Sequence, residues 1–228
     1  MPIDTESRID RLLMRLQGIG VATPTTTLYA EGVKAKLRQA RFSLENLRNL
    51  EHQVQDATTI STAQASLSVN EQVNFYCDGF WDSLRSALDI LGQLVKELRS
   101  LGISERDVDI KRVANKIKST AAGSPLDKAL DELLNSSAFN QLEEYRHCST
   151  HRRPIYIETR TVTTYTSGTP GYPLGSTEPW TIVERYICTN PWALKPRVYI
   201  GRRPVLGYNE QLLQRIRQKI DTVVNRLP

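Results

Sequence analysis

Residues 70–101, NEQVNFYCDGFWDSLRSALDILGQLVKELRSL, carry a long apolar stripe at helical spacing. The stripe repeats at steps of three and four residues and comprises Val73, Cys77, Phe80, Leu84, Leu88, Leu91, Val95 and Leu98. This is the period of an α-helix that buries one face. Gly102 follows as a natural stop signal. The stretch therefore predicts a long amphipathic helix that ends near Leu101.

A second long stripe precedes it, from Leu28 to about Asp56. Its members are Val33, Leu37, Ala40, Leu44, Leu47 and Val54, with one polar gap at Glu51. A polar segment, 57–68, separates the two stripes. Two helices of this length joined by one connection should pack as an antiparallel pair. The expected fold class is therefore mainly α, an antiparallel helical bundle.

Two further helices are indicated by their start signals. Ser104 and Asp107, three residues apart, form a capping box. Ser124 is followed by Pro125, which suits the first helical position, and by Asp127. We expect one helix to begin at each of these serines.

The last helix of the bundle should begin after residues 135–137. Pro154 disfavours helical geometry at Arg153, so this helix should end close to His151. Its apolar side chains are expected to face the core, and they are Phe139, Leu142 and Tyr145.

Beyond Pro154 the composition changes to one typical of strands. Residues 155–166 and 180–188 are rich in Ile, Val, Thr and Tyr, and residues 167–179 between them are dense in Gly, Pro and Ser. This pattern predicts a β-hairpin with a long tip. We expect the hairpin to be an insertion, residues 154–206, before a C-terminal helix at about 209–226.

The N-terminal region carries a separate short stripe. Residues 5–17 predict an amphipathic helix, and residues 18–27, with two glycines, a proline and four threonines, are typical of a linker. The expected division is an N-terminal helix and linker, 1–27, followed by a helical domain, 28–228. The first helix would be an arm that packs on the bundle or on a partner.

The composition is that of an ordinary globular protein. Hydrophobic residues make up 39% of the chain and charged residues 24%. The formal net charge is +5, which permits an acidic partner such as RNA. Spread over 228 residues, the same charge is also compatible with mild basicity and no such partner.

Three cysteines, an odd number without framework spacing, favour a reducing compartment. No apolar stretch approaches the roughly 20 residues of a membrane span. The N-terminus lacks the apolar core of a signal peptide. We therefore expect a cytoplasmic protein that does not contact a membrane.

The segment Tyr145-Arg146-His147-Cys148-Ser149-Thr150-His151 stands at the end of the last bundle helix and holds two of the chain's three histidines. An arginine can hold a phosphate, and a neutral imidazole can take up a proton. The two together indicate phosphodiester chemistry without a metal.

Arg146 and His151 resemble the R-x4–6-H signature of the HEPN superfamily, the higher eukaryote and prokaryote nucleotide-binding domains. His147 stands where the family often has a polar residue after the arginine. The resemblance covers roughly residues 28–153. It implies a helical bundle and, for many members, a metal-independent endoribonuclease of toxin–antitoxin, phage-defence or RNA-processing systems. Other members have lost catalysis and bind nucleotides or partners.

The resemblance also implies the roles of individual residues. His151 would be the general base that takes the 2′-hydroxyl proton of RNA, and Arg146 would clamp the phosphate. An acidic residue on another helix often orients the arginine in this family, which points to Asp78 or Asp82. His147 and Tyr145 are expected as supporting residues. No metal and no other cofactor is expected, and an antitoxin protein is a candidate partner.

Helical geometry limits how the pair can act. Residues five apart lie about 140° apart around a straight helix. Arg146 and His151 can converge on one phosphate if the helix unwinds before Pro154, or if a second copy completes the site. The second route matches the family habit of placing the motif at a dimer interface, so we expect a homodimer.

Other interpretations of these residues remain open. Arg146 can form a salt bridge with Glu143 or with the acidic face of the long helix. His151 can be a solvated histidine favoured by the helix dipole. His147 and His151, four apart, could also hold a metal with Cys148 or Glu143. If Arg146 and His151 do not form a catalytic pair, the protein would be a non-catalytic HEPN module that binds nucleotides, RNA or partners, or a helical scaffold of unrelated function.

The hairpin and its base supply further candidates for RNA contacts. Arg152 and Arg153 stand at its base, and Arg160 and Arg185 lie on its strands with several tyrosines. Basic and aromatic side chains together can hold single-stranded RNA by charge and stacking. Such residues more often merely cover a two-stranded sheet, and this alternative is preferred.

Overall fold

The computed structural model describes residues 4–56, 62–151, 157–164, 180–187 and 203–228, and the side chains of residues 4–50, 69, 71–146 and 204–228. The fold is mainly helical, as predicted. The helices are α1 (Thr5–Gly18), α2 (Pro24–Asp56), α3 (Thr62–Arg99), α4 (Ile110–Thr120), α5 (Pro125–Leu134), α6 (Ser137–His151) and α7 (Val205–Val224). The strands are β1 (Ile157–Thr164), β2 (Trp180–Ile187) and β3 (Arg203–Pro204).

The long helices α2 and α3 form the centre of the bundle. A Cβ added at Gly32 would lie 3.1 Å from Ile90 Cγ2, and one added at Gly79 would lie 3.4 Å from Ser43 Oγ. The contact moves forward along α2 while it moves backward along α3. The two helices are therefore antiparallel, as the sequence predicts.

Helix α2 begins earlier than its apolar stripe. Thr23 and Thr26 cap it reciprocally: Thr26 N donates to Thr23 Oγ1 at 3.1 Å, and Thr23 N donates to Thr26 Oγ1 at 2.8 Å. Pro24 then occupies the first helical position, where its missing N–H costs nothing. The predicted linker 18–27 was therefore wrong from Pro24 onward, where the chain is already helical.

Helix α3 is also longer than predicted at its N-terminus and ends differently. It begins at Thr62, so part of the polar segment 57–68 is helical. At its C-terminus Ser100 has φ 48°, and Leu101 N donates to Lys96 O at 3.2 Å. This is the bonding of a Schellman motif. The stop therefore lies at Ser100, two residues before the predicted stop at Gly102.

The two predicted helix starts had different outcomes. The capping box at Ser104 was wrong: the region forms a 3-10 turn, Glu105–Asp107, and the Ser104 side chain makes no cap bond. Helix α4 is capped by Asp109, whose Oδ1 accepts from Arg112 N at 2.8 Å. The start at Ser124 is confirmed, because its Oγ accepts from Asp127 N at 3.1 Å.

Helix α1 packs on the bundle rather than standing apart from it. Its buried apolar side chains belong to the same core as the long helices, and they are Ile9, Leu12, Leu13 and Leu16. Polar contacts with α7 border this interface: Arg8 Nε lies 3.2 Å from Asp221 Oδ2, and Arg217 Nε donates to Thr5 Oγ1 at 3.2 Å. The division at residue 27 stays a prediction.

Strands β1 and β2 pair antiparallel, from Ile157 opposite Ile187 to Thr164 opposite Trp180. The predicted tip, 167–179, lies outside the described residues. That this strand pair is an insertion over 154–206 stays a prediction. Helix α7 begins at Val205, four residues before the predicted start. Within the described ranges, no helix is long and apolar enough to cross a membrane.

Candidate functional site

Helix α6, which carries the motif, runs antiparallel to α3. Glu143 contacts Arg85, and Arg146 contacts Asp82. A step of three residues towards the C-terminus of α6 therefore corresponds to a step of three residues towards the N-terminus of α3. The end of α6 is directed towards the part of α3 that carries Asp78.

A buried aromatic stack joins the two helices at this point. The rings of Trp81 and Tyr145 have centroids 4.7 Å apart and planes 9° apart. Both side chains are buried. Tyr208 of α7 meets the Tyr145 ring edge-on at 5.6 Å, and its hydroxyl donates to Gln141 Oε1 at 2.9 Å. Tyr145, expected among the supporting residues, therefore lies in the core, where it packs and does not face solvent.

The stack is tied to α7 by a buried amide. Trp81 Nε1 donates to Asn209 Oδ1 at 3.1 Å, and Asn209 Nδ2 lies 3.7 Å from Cys77 Sγ. Asn209 is fully buried. A buried indole N–H without a partner would cost free energy, so Asn209 fixes both the position and the orientation of Trp81.

Arg146 lies next to the stack but at the surface. Its Nε is 3.7 Å from Asp82 Oδ1, and the two side chains are 44% and 51% exposed. Of the two salt bridges considered for Arg146, the structure contains the one with the acidic face of the long helix. An ion pair this exposed contributes only about 0–1 kcal/mol to stability. The pair therefore orients the Arg146 side chain without contributing much to stability.

Glu143 belongs to a different and buried ion-pair network. Arg85, only 6% exposed, pairs with both Glu143 and Asp89, and Glu143 also pairs with Lys111. Arg85 and Lys111 lie over the Phe139 ring at 5.8 and 5.4 Å. The network joins α3, α4 and α6 one helical turn before Arg146.

The charges of this network support one another. Burial disfavours the charged form of Arg85, but the carboxylates of Asp89 and Glu143 outweigh burial and raise the pKa of the guanidinium. Burial likewise disfavours ionised Glu143, but Lys111 and Arg85 outweigh it and lower the pKa of that carboxyl. Arg85 is thus fixed in place, in contrast to Arg146.

Asp78 lies one turn before Asp82 on the same side of α3 and is partly buried. Burial, and then the charge of Asp82, raise the pKa of the Asp78 carboxyl to about 6. Among the side chains that the structure describes, none donates a hydrogen bond to it. Asp78 therefore changes its charge close to neutral pH.

Several predicted site residues lie outside the described side chains. For His147 and His151 the backbone is described, and α6 remains helical through His151. Arg152 and Arg153 lie outside the described residues altogether. In the backbone pairing of β1 and β2, Arg160 lies opposite Glu184 and Arg185 lies opposite Thr159.

Another candidate site is a groove between α1, α2 and α7, which has a volume of about 530 Å³. Its three arginines already have carboxylate partners: Arg41 pairs with Glu6, Arg48 with Glu210 and Arg217 with Asp4. Across the side chains that the structure describes, no group of three acidic, histidine or cysteine side chains could hold a metal. Arg146 has a carboxylate partner as well, so the surface around it is preferred only because it carries the predicted Arg146–His151 segment.

Comparison with known families identifies the family of the chain. A family described as HEPN_Cthe2314-like HEPN matches residues 29–176, well over half of the chain. The chain belongs to the HEPN superfamily. The matched part of this HEPN protein starts in α2, contains Arg146 and His151, and continues through β1. No curated protein and no solved structure matches the chain.

Sequence reasoning missed three residues in the structure around Arg146: Trp81, Arg85 and Asn209. Each is buried, and each was hidden within a helix assigned only by its apolar stripe. One signal was available for Arg85, because Asp89 follows it at the four-residue spacing of a helical ion pair. No local signal identifies Asn209, whose partners are more than 120 residues away in sequence.

Proposed function

We propose that this HEPN protein is a metal-independent endoribonuclease, with Arg146 as the phosphate clamp and His151 as the general base. The observation that carries the proposal is the state of Arg146. Its guanidinium is about half exposed, it is held by a weak ion pair to Asp82, and its backbone is anchored by the buried Trp81–Tyr145 stack. It is thus positioned and can still bind an anion.

The proposed reaction is an internal transesterification of single-stranded RNA. His151 removes the proton from a 2′-hydroxyl, and the 2′-oxygen forms a bond to the adjacent phosphorus. The bond from phosphorus to the 5′-oxygen breaks, and that oxygen leaves with a proton. Arg146 compensates the negative charge that develops on the phosphorane, since its planar fork of donors matches two phosphate oxygens. His147 would frame the pocket.

Asp82 would act on this reaction through Arg146 as a positioning residue. It holds the guanidinium at the surface of α6 and α3. The guanidinium has five N–H donors, so a phosphate can share it with Asp82. Asp78, one turn away, would add a charge that changes near neutral pH.

We further propose that the active form is a homodimer. Helix α6 stays helical through His151, so the angle of about 140° between residues five apart applies. This separation supports a site in which the motif segments of two copies lie close to their two-fold axis. Light scattering at working concentrations tests the dimer, and a monomer that cleaves RNA at full rate would contradict it.

The main experiment measures cleavage of single-stranded RNA in excess chelator. We expect 2′,3′-cyclic phosphate and 5′-hydroxyl ends. Arg146→Ala should lose about 100- to 1,000-fold in rate, as for removal of one transition-state donor. His151→Ala should lose a comparable amount, and Arg146→Lys should recover only part because it lacks the fork. Arg112→Ala, an exposed arginine on α4, is the matched control.

Wild-type cleavage by both Arg146→Ala and His151→Ala would refute the assignment. The second candidate is a HEPN module without catalysis that binds nucleotides, RNA or a protein partner. It is favoured by the fact that Arg146 already has a carboxylate partner. RNA binding that requires Arg146 without any cleavage would establish this alternative.

The surroundings of the proposed enzyme follow from the same reasoning. Its three cysteines favour the cytoplasm, and a toxin or defence function would bring an antitoxin partner. The strand pair would be an insertion at residues 154–206 of a domain that starts at residue 28. Its arginines, Arg160 and Arg185, with Arg152 and Arg153 at the base, would add charge for RNA. Neutralising all four together should weaken RNA binding and reduce its salt dependence.

A further inference from the structure

An exposed aromatic ring stands beside the proposed phosphate site. Phe75 on α3 is 72% exposed. It precedes Asp82 by seven residues, about 10 Å along the helix, and shares its outward side of α3. Asp82 in turn holds Arg146. The ring is therefore on the same face as the phosphate clamp and within a short distance of it.

The Phe75 ring has a fixed neighbour. The Phe75 and Tyr76 rings form an edge-to-face pair, with centroids 5.5 Å apart and planes at 72°. Tyr76 is partly buried and packs against the core. Edge-to-face contact of this kind is favourable, and the Phe75 side chain stays mostly exposed beside it.

A carboxylate accompanies the ring. Asp78 follows Phe75 by three residues, so the two lie next to each other on the helix surface. No donor among the described side chains satisfies Asp78. The neighbouring positions Glu71 and Asp82 are exposed and acidic. A subunit interface has an apolar centre, whereas this face offers one ring surrounded by carboxylates.

We propose that Phe75 and Asp78 form a base subsite for the RNA substrate, in which Phe75 stacks on a guanine and Asp78 accepts hydrogen bonds from its Watson–Crick edge. Base stacking on an aromatic side chain is the usual means of holding unpaired RNA. Guanine presents two adjacent donors, N1–H and the 2-amino group, which match the two oxygens of a carboxylate. The inference rests on the proposed function, since it places the base beside the phosphate held by Arg146.

The test measures binding of short 2′-O-methyl oligonucleotides, which cannot be cleaved, that contain either one guanine or one adenine. Phe75→Ala should weaken binding of the guanine oligonucleotide at least about fivefold, the lower end of the effect of one stacked base. Asp78→Asn should abolish the preference for guanine over adenine. Phe42→Ala, an equally exposed ring on α2 (62%), is the matched control and should bind as the wild type does.

Each other outcome overturns the inference in a recognisable way. If Phe75→Ala and Asp78→Asn bind both oligonucleotides like the wild type while Arg146→Ala abolishes cleavage, the subsite is wrong and the nuclease stands. If Phe75→Ala converts a dimer to a monomer in light scattering, the ring belongs to a subunit interface. If Arg146→Ala and His151→Ala cleave normally, the proposed function fails whatever Phe75 does.

Discussion

Trp81 and Tyr145 stack in the core, and the residue that follows each of them, Asp82 and Arg146, forms an ion pair at the surface. The stack is fully desolvated, whereas the pair is half exposed. Packing of the two rings therefore sets the distance between α3 and α6. The Asp82–Arg146 ion pair then determines only where these two side chains lie at the surface. Stability and site chemistry are thus assigned to neighbouring residues.

This arrangement predicts that adjacent substitutions on α6 separate stability from activity. Tyr145→Ala should lower the free energy of unfolding by about 3–5 kcal/mol, because it leaves a cavity against Trp81. Arg146→Ala should change it by less than about 1 kcal/mol. Urea unfolding followed by tryptophan fluorescence measures both. Equal losses in the two variants would show that the stack does not carry the packing.

Asp82→Asn should lower the rate of RNA cleavage by about tenfold, which is ~1.4 kcal/mol of activation free energy. It should leave the free energy of unfolding unchanged. The amide keeps the shape but no longer holds the guanidinium by charge. Cleavage kinetics with varied RNA concentration measure the change. Asp131→Asn, an exposed carboxylate on α5, serves as the control, and an unaltered rate in Asp82→Asn would remove Asp82 from the site.

Arg85→Met should destabilise the bundle by about 3–5 kcal/mol, since it leaves the partly buried Asp89 without its cation and Glu143 with Lys111 alone. Arg38→Met, on a 55% exposed arginine with surface ion pairs, should cost less than about 1 kcal/mol. Chemical unfolding of the two variants makes the comparison. A cost for Arg85→Met no greater than for Arg38→Met would mean that the network is solvated.

The raised pKa of Asp78 predicts the direction of a pH effect on stability. The carboxyl has a pKa of about 6 in the folded protein and about 3.9 when unfolded. The native state then binds the proton more tightly, so its stability falls as pH rises through 6. Asp78→Asn should be more stable than the wild type at pH 7.5 and lose most of this advantage at pH 4.5. Urea unfolding at both values checks it, and a difference independent of pH would contradict it.

The sequence predicts the helices better than their ends. The stripes of α2 and α3 correctly indicate an antiparallel pair, because burial of one face imposes the helical period. The ends depend on single hydrogen bonds: Thr23 with Thr26 starts α2 before its stripe, and Asp109 rather than Ser104 caps α4. Ser104 and Asp109 are both of residue types that cap helices, and tertiary packing decides which of the two is used.

For the site, the sequence supplies the motif but not its support. Arg146 and the two aspartates of α3 were found from the family pattern and helical spacing. Trp81 and Asn209 were not, because an apolar period shows that a residue is buried without showing its partner. Contacts between α3, α6 and α7 join residues more than 60 positions apart, and no local pattern encodes them.

The packing of α1 against α7 has a consequence for folding during synthesis. Helix α1 leaves the ribosome before α7, which supplies Asp221 and Arg217, the partners of Arg8 and Thr5. At about 5–20 residues per second, on the order of ten to forty seconds separate the two helices. Asn209, which fixes Trp81 beside Tyr145, belongs to α7 as well. The cover of α1 and the support of Arg146 are therefore completed by the same helix and at the same stage of synthesis.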